Sequence, residues 1–587
     1  MKKWDILKKI SSDTPFHIED VVNMLLDSRG LESKKERDVF LHPFDPYTLN
    51  NIDVGIEKRS LATALNRISR AIKNKESIVV YADYDADGIC AGAIIWETLH
   101  HLKGNVMPYI PRRSDEGYGL SKLGIDNVVA QYHPGLIVTV DHGITAKDNV
   151  AYAKSLGIDV IITDHHVKPE YLPDCIIVHT TQLCGAGVSW FVAKELLSGS
   201  GLNVPQSLTP FNERSSVDKE LLALAAIGTI ADLVPLVGPN RAIVKYGLEA
   251  INTTKRVGLD ALIADAGLSK GKLSTFEISH ILAPRLNAMG RLEHAMDALR
   301  LICTLQKDRA LELAQKLSLT NKERQQMTVE MTAHALEIIK GTSLSKQGSS
   351  LGKKLIFLAH ESYNQGVIGL IAGKLVEEYY LPALVIAKGE FISKASARSI
   401  SGFNIVEAIR SCSDILIDVG GHPMAAGFTV ETKNLVILQE RMEILAEKEL
   451  DEEKLTRKLK IDAEIPLEIV GVELWTALQQ FQPFGFGNYE PVFVSKNVKV
   501  TDARLIGADG KHLKLKINQL TDPTNPSTSL RTSPTNLTNS LDAIAFNQGS
   551  LYNKLQPNAI IDIAYTIDMN EWNGKSNLQL KIKDIQQ

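Results

Sequence analysis

Apolar and polar residues follow two different rhythms along this chain. From about Leu61 to Val178, short unbroken apolar runs at Ser77–Tyr81, Leu136–Val140 and Val160–Thr163 are separated by stretches of helical period at Ala91–Leu102 and Ala146–Leu156. That succession predicts βαβ units and a mostly parallel sheet covered by helices. Leu221–Asp232 and Arg241–Asn252 read as two further helices of the same domain. In Lys307–Lys340, Leu313, Leu317, Met327, Met331, Ala335 and Ile338 recur among charges without a Gly or Pro, which predicts one long helix with a single apolar stripe. Gly341–Lys354 is polar and Gly/Ser-rich, a linker, and a second α/β pattern runs from Lys354–Ala359 to about Leu450.

Beyond Lys460 the period shortens to alternating segments, Val492–Val500, His512–Ile517, Leu541–Phe546 and Ile560–Ile567, the pattern of a small β-barrel. Within it, 16 of the 20 residues Thr521–Ser540 are Ser, Thr, Asn or Pro, too polar to join a core, so this stretch reads as a disordered inserted loop. The chain therefore divides into an N-terminal extension (1–45), a parallel-sheet α/β domain (46–304), a connecting helix (305–341), a second α/β domain (352–450) and a barrel domain (455–587).

Composition narrows the classes of function. With 587 residues, 44% apolar and 23% charged, the chain has the make-up of a soluble multidomain protein, and no apolar run approaches the roughly 20 residues that span a bilayer. No leader-like segment is visible at Met1, and no membrane partner is expected. Lys and Arg number 65 against 69 Asp and Glu, a net charge of −4, so an anionic ligand must meet a local basic groove rather than a polycation. The five cysteines, Cys90, Cys175, Cys184, Cys303 and Cys412, are scattered without a C-x-x-C pair, which argues against a disulfide framework or structural zinc and fits a reducing cytoplasm.

Four acidic or histidine clusters fall at the ends of apolar runs. In Asp83-Tyr-Asp85-Ala-Asp87-Gly88, a continuing strand would put the three carboxylates on one side, with Gly88 turning the chain into the next helix. Carboxylates so gathered repel one another unless a cation neutralises them. Asp141-His142-Gly143 follows the second run, Asp164-His165-His166 the third, and Asp232 ends Ala225–Ala231. Ligands of an open α/β sheet collect beyond the carboxyl ends of its strands, so these clusters should share one crevice. Carboxylates with imidazoles suit Mn²⁺ or Mg²⁺ and, less exclusively, Zn²⁺; together they point to a two-ion site.

These motifs resemble those of the DHH phosphoesterase superfamily and, within it, the RecJ-type single-strand-specific exonucleases, over nearly the whole chain. The resemblance implies metal ligation by Asp85, Asp87, Asp141, His165 and Asp232 in a centre of two Mn²⁺ or Mg²⁺ ions, with Asp83, His165 and His166 taking part in catalysis. Pro111-Arg-Arg113, Gly117-Tyr-Gly-Leu120, Cys184-Gly-Ala-Gly-Val188 and Ala283-Pro-Arg285-Leu-Asn287-Ala-Met-Gly-Arg291 are also family-like. Arg113, Arg285, Asn287 and Arg291 are accordingly substrate-binding candidates, the guanidinium fork suiting phosphate. In the second α/β domain Ser396, Arg398, Gly420, Gly421 and His422 match the DHH-associated motifs and would hold the terminal nucleotide by its phosphate.

Phe481-Gln-Pro-Phe484-Gly-Phe486-Gly-Asn488 is similar to the segment leading into the family's OB-fold; Phe484 and Phe486 read as core residues rather than stacking platforms. Tyr363-Asn364-Gln365 stands where the family often has Trp-His, and Ile177–Gln182 is shorter than usual and lacks an Asn-Pro; neither departure touches a metal ligand. The activity implied is 5′-to-3′ hydrolysis of single-stranded DNA to mononucleotides in repair and recombination. A single-strand-binding protein and a helicase are candidate partners, and a monomer is the expected state. The rival reading is a phosphodiesterase for short oligonucleotides or cyclic dinucleotides, which would not need the additional barrel. A non-catalytic relative that has lost its metals is disfavoured by the intact clusters.

Overall fold

The computed structural model describes residues 2–9, 17–113, 115–199, 215–340, 353–519, 540–572 and 574–587. The linker expected at Gly341–Lys354 and the loop expected at Thr521–Ser540 lie, but for their last residues, outside this set. The chain forms two units, one of residues 44–456 and one that joins residues 1–43 to 457–587.

The first sheet of the larger unit has five parallel strands in the order Asn105–Tyr109, Ser77–Ala82, Leu136–Val140, Asp159–Asp164, Ile176–His179. Alternate residues of its central strands serve two cores: Ile78, Val80 and Ala82 pack with the helices Ala86–His101, Gly185–Ser198 and Ser216–Ala231 on one face, while Val79 and Tyr81 pack with Lys122–Tyr132 and Lys147–Ser155 on the other. Because both faces are covered, these strands read as continuous apolar runs. The outer strands do not: Asn105–Tyr109 carries exposed Met107 and Pro108 at the sheet edge, which is why no strand was legible there. Strand order reverses between Ser77–Ala82 and Leu136–Val140, and the crevice at that switch point is where such sheets bind ligands.

The helix Lys307–Lys340 extends over 34 residues. Its first half sinks Ala310, Leu313, Ala314 and Leu317 into the first domain's core, and its second half places Ala335 and Ile339 against Ile356, Leu358, Ile368 and Ile371 of the second. The second sheet runs Leu416–His422, Ala425–Glu431, Ile392–Arg398, Ala383–Ala387, Ile356–His360, antiparallel except for its last pair.

In the smaller unit, strands Phe493–Ile506, His512–Gln519, Leu541–Ala545, Lys575–Gln586 and Ile560–Trp572 pair in a ring, since the first also bonds to the last. The N-terminal stretch, read as an extension, is instead part of this unit. Lys3–Ile6 pairs in parallel with Lys458–Ile461, and Val21, Leu25, Leu26 and Phe40 are buried with Leu474, Phe481 and the barrel's inner residues. Its helices looked polar because only one narrow face of each is covered. Phe484 packs on this core, but Phe486 is 45% exposed beside the exposed Tyr489, so the core assignment of Phe486 is corrected. The two glycines that flank Phe486 set it on a turn, outside the packed layer.

Candidate metal centre and substrate cleft

The first motif is not an extended strand. Ser77–Ala82 ends before Asp83, and the helix Ala86–His101 begins directly after Asp85, whose side chain accepts the Gly88 amide at 3.0 Å as its N-cap. Asp87 lies in the first turn of that helix. The carboxylates therefore converge through a strand-to-helix corner, not through strand alternation, and Asn287 Oδ1 braces the corner by accepting the Ala86 amide at 2.7 Å. Both oxygens of Asp87 face the N-terminus of the Gly185–Ser198 helix, accepting Gly185 N at 2.7 Å and Ala186 N at 2.9 Å. This close approach requires glycine: a Cβ at Gly185 would fall within 3.0 Å of Asp141 Oδ1, Cβ and Cγ, and one at Gly228 within 3.0 Å of Asp87 Oδ1.

Asp141 follows the Leu136–Val140 strand in a left-handed conformation (φ 68°), held by its amide donating to the Thr163 carbonyl at 2.9 Å. A non-glycine residue pays about 1–3 kcal/mol for such backbone strain, which persists where the surroundings impose it. Its neighbour His142 is buried, bonded to the Tyr81 carbonyl (3.0 Å), and pushed down to about 4 by burial, so it is a neutral structural residue.

At the end of Asp159–Asp164 the roles divide. Asp164 is buried and accepts four donors: the Ile144 amide at 2.8 Å, the His165 and His166 amides at 2.7 and 3.1 Å, and His166 Nδ1 at 2.8 Å. Burial would raise this carboxyl, yet these bonds and the His166 charge hold it well below the usual range. Burial likewise opposes a charge on His166, but Asp164 lifts it to about 9. Asp164 is thus the positioning residue of the third motif, although the sequence reading assigned it no role.

Ligating atoms fall into overlapping groups whose members all lie within 4.8 Å of one another: Asp83, Asp85 and Asp141; Asp141, His165 and His166; Asp87, His165 and Asp232. His165 Nε2 stands 3.2 Å from Asp141 Oδ1 and 3.7 Å from Asp232 Oδ2. Burial, and then mutual repulsion, push Asp83, Asp85 and Asp141 upward and carry Asp232 to about 8. Asp141 Oδ1 is buried without an aligned hydrogen-bond donor. A set of oxygen and imidazole donors that repel one another and leave an oxygen unsatisfied fits hard divalent cations. His165 and Asp141 are each shared by two of these groups.

Basic residues gather on one side. Arg113 lies over the Tyr84 ring at 5.2 Å; Arg291 donates to the Gly366 carbonyl at 3.1 Å; Arg398 donates to Ser396 Oγ at 3.1 Å and to the Ala397 carbonyl at 2.9 Å. Arg291 is pushed down to about 10, first by burial and then by Arg113, Arg324 and Arg398, with Asp85 opposing. Arg324, on the long helix, gave no signal in the sequence, being one charge among many on a polar face. Among the described residues, none of these four arginines has a carboxylate ion-pair partner, which leaves their charge for an anionic ligand. His422 completes the join between domains, its ring 6.4 Å from that of His166 and 11° from parallel, and Gly420 and Gly421 precede it on the exposed edge strand.

Two sequence candidates differ in role. Arg285 spends Nε on Ser318 (3.0 Å) and Nη1 on the Ile281 carbonyl (2.7 Å), and Asn287 is the brace described above, so both hold the scaffold. Both follow a π-helical turn, Ile278–Leu282, enforced by Pro284, which cannot donate to the regular helical ladder.

Comparison with known proteins agrees with this arrangement. Residues 77–229 match the N-terminal domain model of the DHH family, 352–448 the DHHA1 domain, and 461–584 the RecJ OB domain. The chain is 36% identical to the single-stranded-DNA-specific exonuclease RecJ of Bacillus subtilis (strain 168), over 99% of its own length and 70% of that protein's. It superposes on crystal structures of RecJ from Thermus thermophilus in complex with Mn²⁺ (TM-score 0.78, 26% identity, 100% of this chain and 79% of that one) and with Mg²⁺ (0.74, 26%, 100% and 78%). Matched by all three domain models and, over 99% of its length, by a RecJ at 36% identity, the chain belongs to the RecJ family of the DHH superfamily.

Proposed function

We propose that this protein is a metal-dependent exonuclease that hydrolyses single-stranded DNA from its 5′ end to mononucleotides in DNA repair and recombination, and that it acts in the cytoplasm. The observation that carries this reading is the overlap of candidate ligating groups at the sheet's switch point, facing arginines that have no ion-pair partner among the described residues. The single-strand specificity is that of the relatives' names; the polarity rests on the family resemblance. That no helix among the described residues is long and apolar enough to cross a membrane, and that all five cysteines are free, is consistent with the proposed location.

Asp85, Asp87, Asp141, His165 and Asp232, with Asp83 adjacent, would hold two Mn²⁺ or Mg²⁺ ions, which when bound supply Lewis acidity and lower the pKa of coordinated water. The protein's own groups do the rest. Arg291 and Arg113 offer guanidinium donors to backbone phosphates. His166, its Nδ1 engaged by Asp164 and its Nε2 at 3.5 Å from the Tyr118 hydroxyl, would donate from Nε2 to a phosphoryl oxygen in place of that long contact. Ser396 and Arg398 would hold the 5′-terminal phosphate, and Gly420–His422 the sugar-phosphate beside it. Arg398 is largely buried, which strengthens its bonds to an anion.

The test is purified protein with Mn²⁺ or Mg²⁺ on oligonucleotides labelled at either end, single-stranded, double-stranded and dinucleotide. Release of labelled mononucleotide first from the 5′ end of single strands is expected; activity confined to dinucleotides would replace this reading with the rival phosphodiesterase.

A further inference from the structure

Arg324 and Arg398, two of the charges that act on Arg291, also line a groove of about 310 Å³ between the long helix and the helix Ile368–Tyr379. That volume is at the lower end of small-molecule sites and exceeds what one phosphate fills. One wall carries Arg324 and, one turn on, Thr328; the other is opened by Gly369 and Gly373; Arg398 closes the near end. Gly369 packs against Ser396 and Arg398, where an added Cβ would lie 2.9 Å from Ser396 Oγ and 3.1 Å from Arg398 Nη2, whereas a Cβ at Gly373 would meet nothing within 4 Å. Arg324 Nε and Nη2 are steadied by buried Asn321 Oδ1 at 3.1 and 2.9 Å, and Nη1 takes part in neither bond. At the far end Lys374 is tied to Glu377 at 2.8 Å. The groove is thus basic next to the terminal-phosphate position and neutralised away from it.

We propose that this groove is a subsite for phosphates beyond the first on a strand's 5′ end, so that the enzyme opens 5′-triphosphorylated strands, with Arg324 as the residue that reads the extra phosphates. The proposal rests on the assignment of Ser396 and Arg398 to the terminal phosphate. In the first turnover water adds to the phosphorus between the first and second nucleotides, the P–O3′ bond breaks, and the 3′ oxygen takes a proton. The terminal unit leaves as a nucleoside triphosphate and the remaining strand keeps a 5′-monophosphate, so every later turnover is the ordinary one. No reactant besides water is consumed.

The test is equilibrium binding of 3′-labelled oligonucleotides with 5′-hydroxyl, 5′-monophosphate or 5′-triphosphate ends to the full chain without metal, followed by Mn²⁺-supported product analysis. The triphosphate end is expected to bind about tenfold tighter than the monophosphate end, one additional charge-assisted contact being worth about that factor. Arg324→Ala should collapse this step, and Arg398→Ala the step from hydroxyl to monophosphate. Gly373→Gln, which projects into open space and improves helix propensity, should also remove the triphosphate step by filling the groove. Equal binding of mono- and triphosphate ends, or an Arg324→Ala variant that weakens all three ends by one factor, overturns the proposal. Absence of nuclease activity on every end would instead strike the proposed function, and the binding series would still decide the subsite.

Discussion

Gly185→Ala isolates placement of the proposed metal ligands from their identity. The new Cβ would lie within 3.0 Å of Asp141 Oδ1, Cβ and Cγ. The obstruction includes the root of the side chain, so a rotation at its tip does not relieve it. Asp141 is 2% exposed and its backbone is fixed by the bond to Thr163, so either it or the Gly185–Ser198 helix must move by roughly 0.5 Å or more in a close-packed interior. The Gly185 amide also holds Asp87, so one methyl group disturbs two of the proposed ligands. Overpacking of this kind costs about 1–3 kcal/mol, partly offset by the roughly 1 kcal/mol that Ala gains over Gly in a helix. Stability should therefore fall by at most about 2 kcal/mol, while Mn²⁺ affinity should fall about 10- to 100-fold, as when a ligand's support is lost. Gly199→Ala, at the other end of the same helix with only ordinary contacts of 3.6 Å or more, is the control and should leave both unchanged. Calorimetric Mn²⁺ titration and thermal unfolding of the two variants measure the pair. Wild-type Mn²⁺ affinity in Gly185→Ala would refute the reasoning.

Asp87→Ala and Asp141→Ala should each abolish hydrolysis with the circular dichroism spectrum unchanged, and near-wild-type turnover by either would remove the metal assignment. Removing the 5′-phosphate should weaken substrate binding about ten- to a hundredfold, and Arg398→Ala should largely erase that difference; a double-mutant cycle over residue and phosphate measures the coupling. In metal-free protein Asp232, raised to about 8, contributes stability that is lost as pH rises through that value, and Asp83, Asp85 and Asp141 are raised in the same direction. The chelated protein's Tm should therefore fall from pH 6 to pH 9 and the Tm gain on adding Mn²⁺ should be larger at pH 9, which differential scanning calorimetry can follow.

Legibility in the sequence followed burial. The three central strands of the first sheet stood out because both faces are covered; the edge strand Asn105–Tyr109 did not, having one exposed face and a proline. The proposed acidic and histidine ligands were visible because each sits where an apolar run stops. Their second tier was not: the amides of Gly185 and Ala186 on Asp87, and the four bonds of Asp164, depend on elements distant in sequence. Arginines were the least legible. Arg285 and Arg291 lie in one motif, yet the first braces Ser318 and the second enters the cleft, a difference set by helical phase after the π turn. Residues 1–43 belong with the C-terminal domain through contacts more than 400 residues away, such as Arg29 Nε on Asn488 Oδ1 at 3.0 Å, which no local pattern encodes.

The most direct measurement is an anomalous difference map from crystals of the full chain grown with Mn²⁺. Two peaks about 3.5–4 Å apart, among Asp83, Asp85, Asp87, Asp141, His165 and Asp232, are the expected result. A map with no peak among these residues, from crystals of protein that is active with Mn²⁺, would contradict the assignment of the catalytic centre.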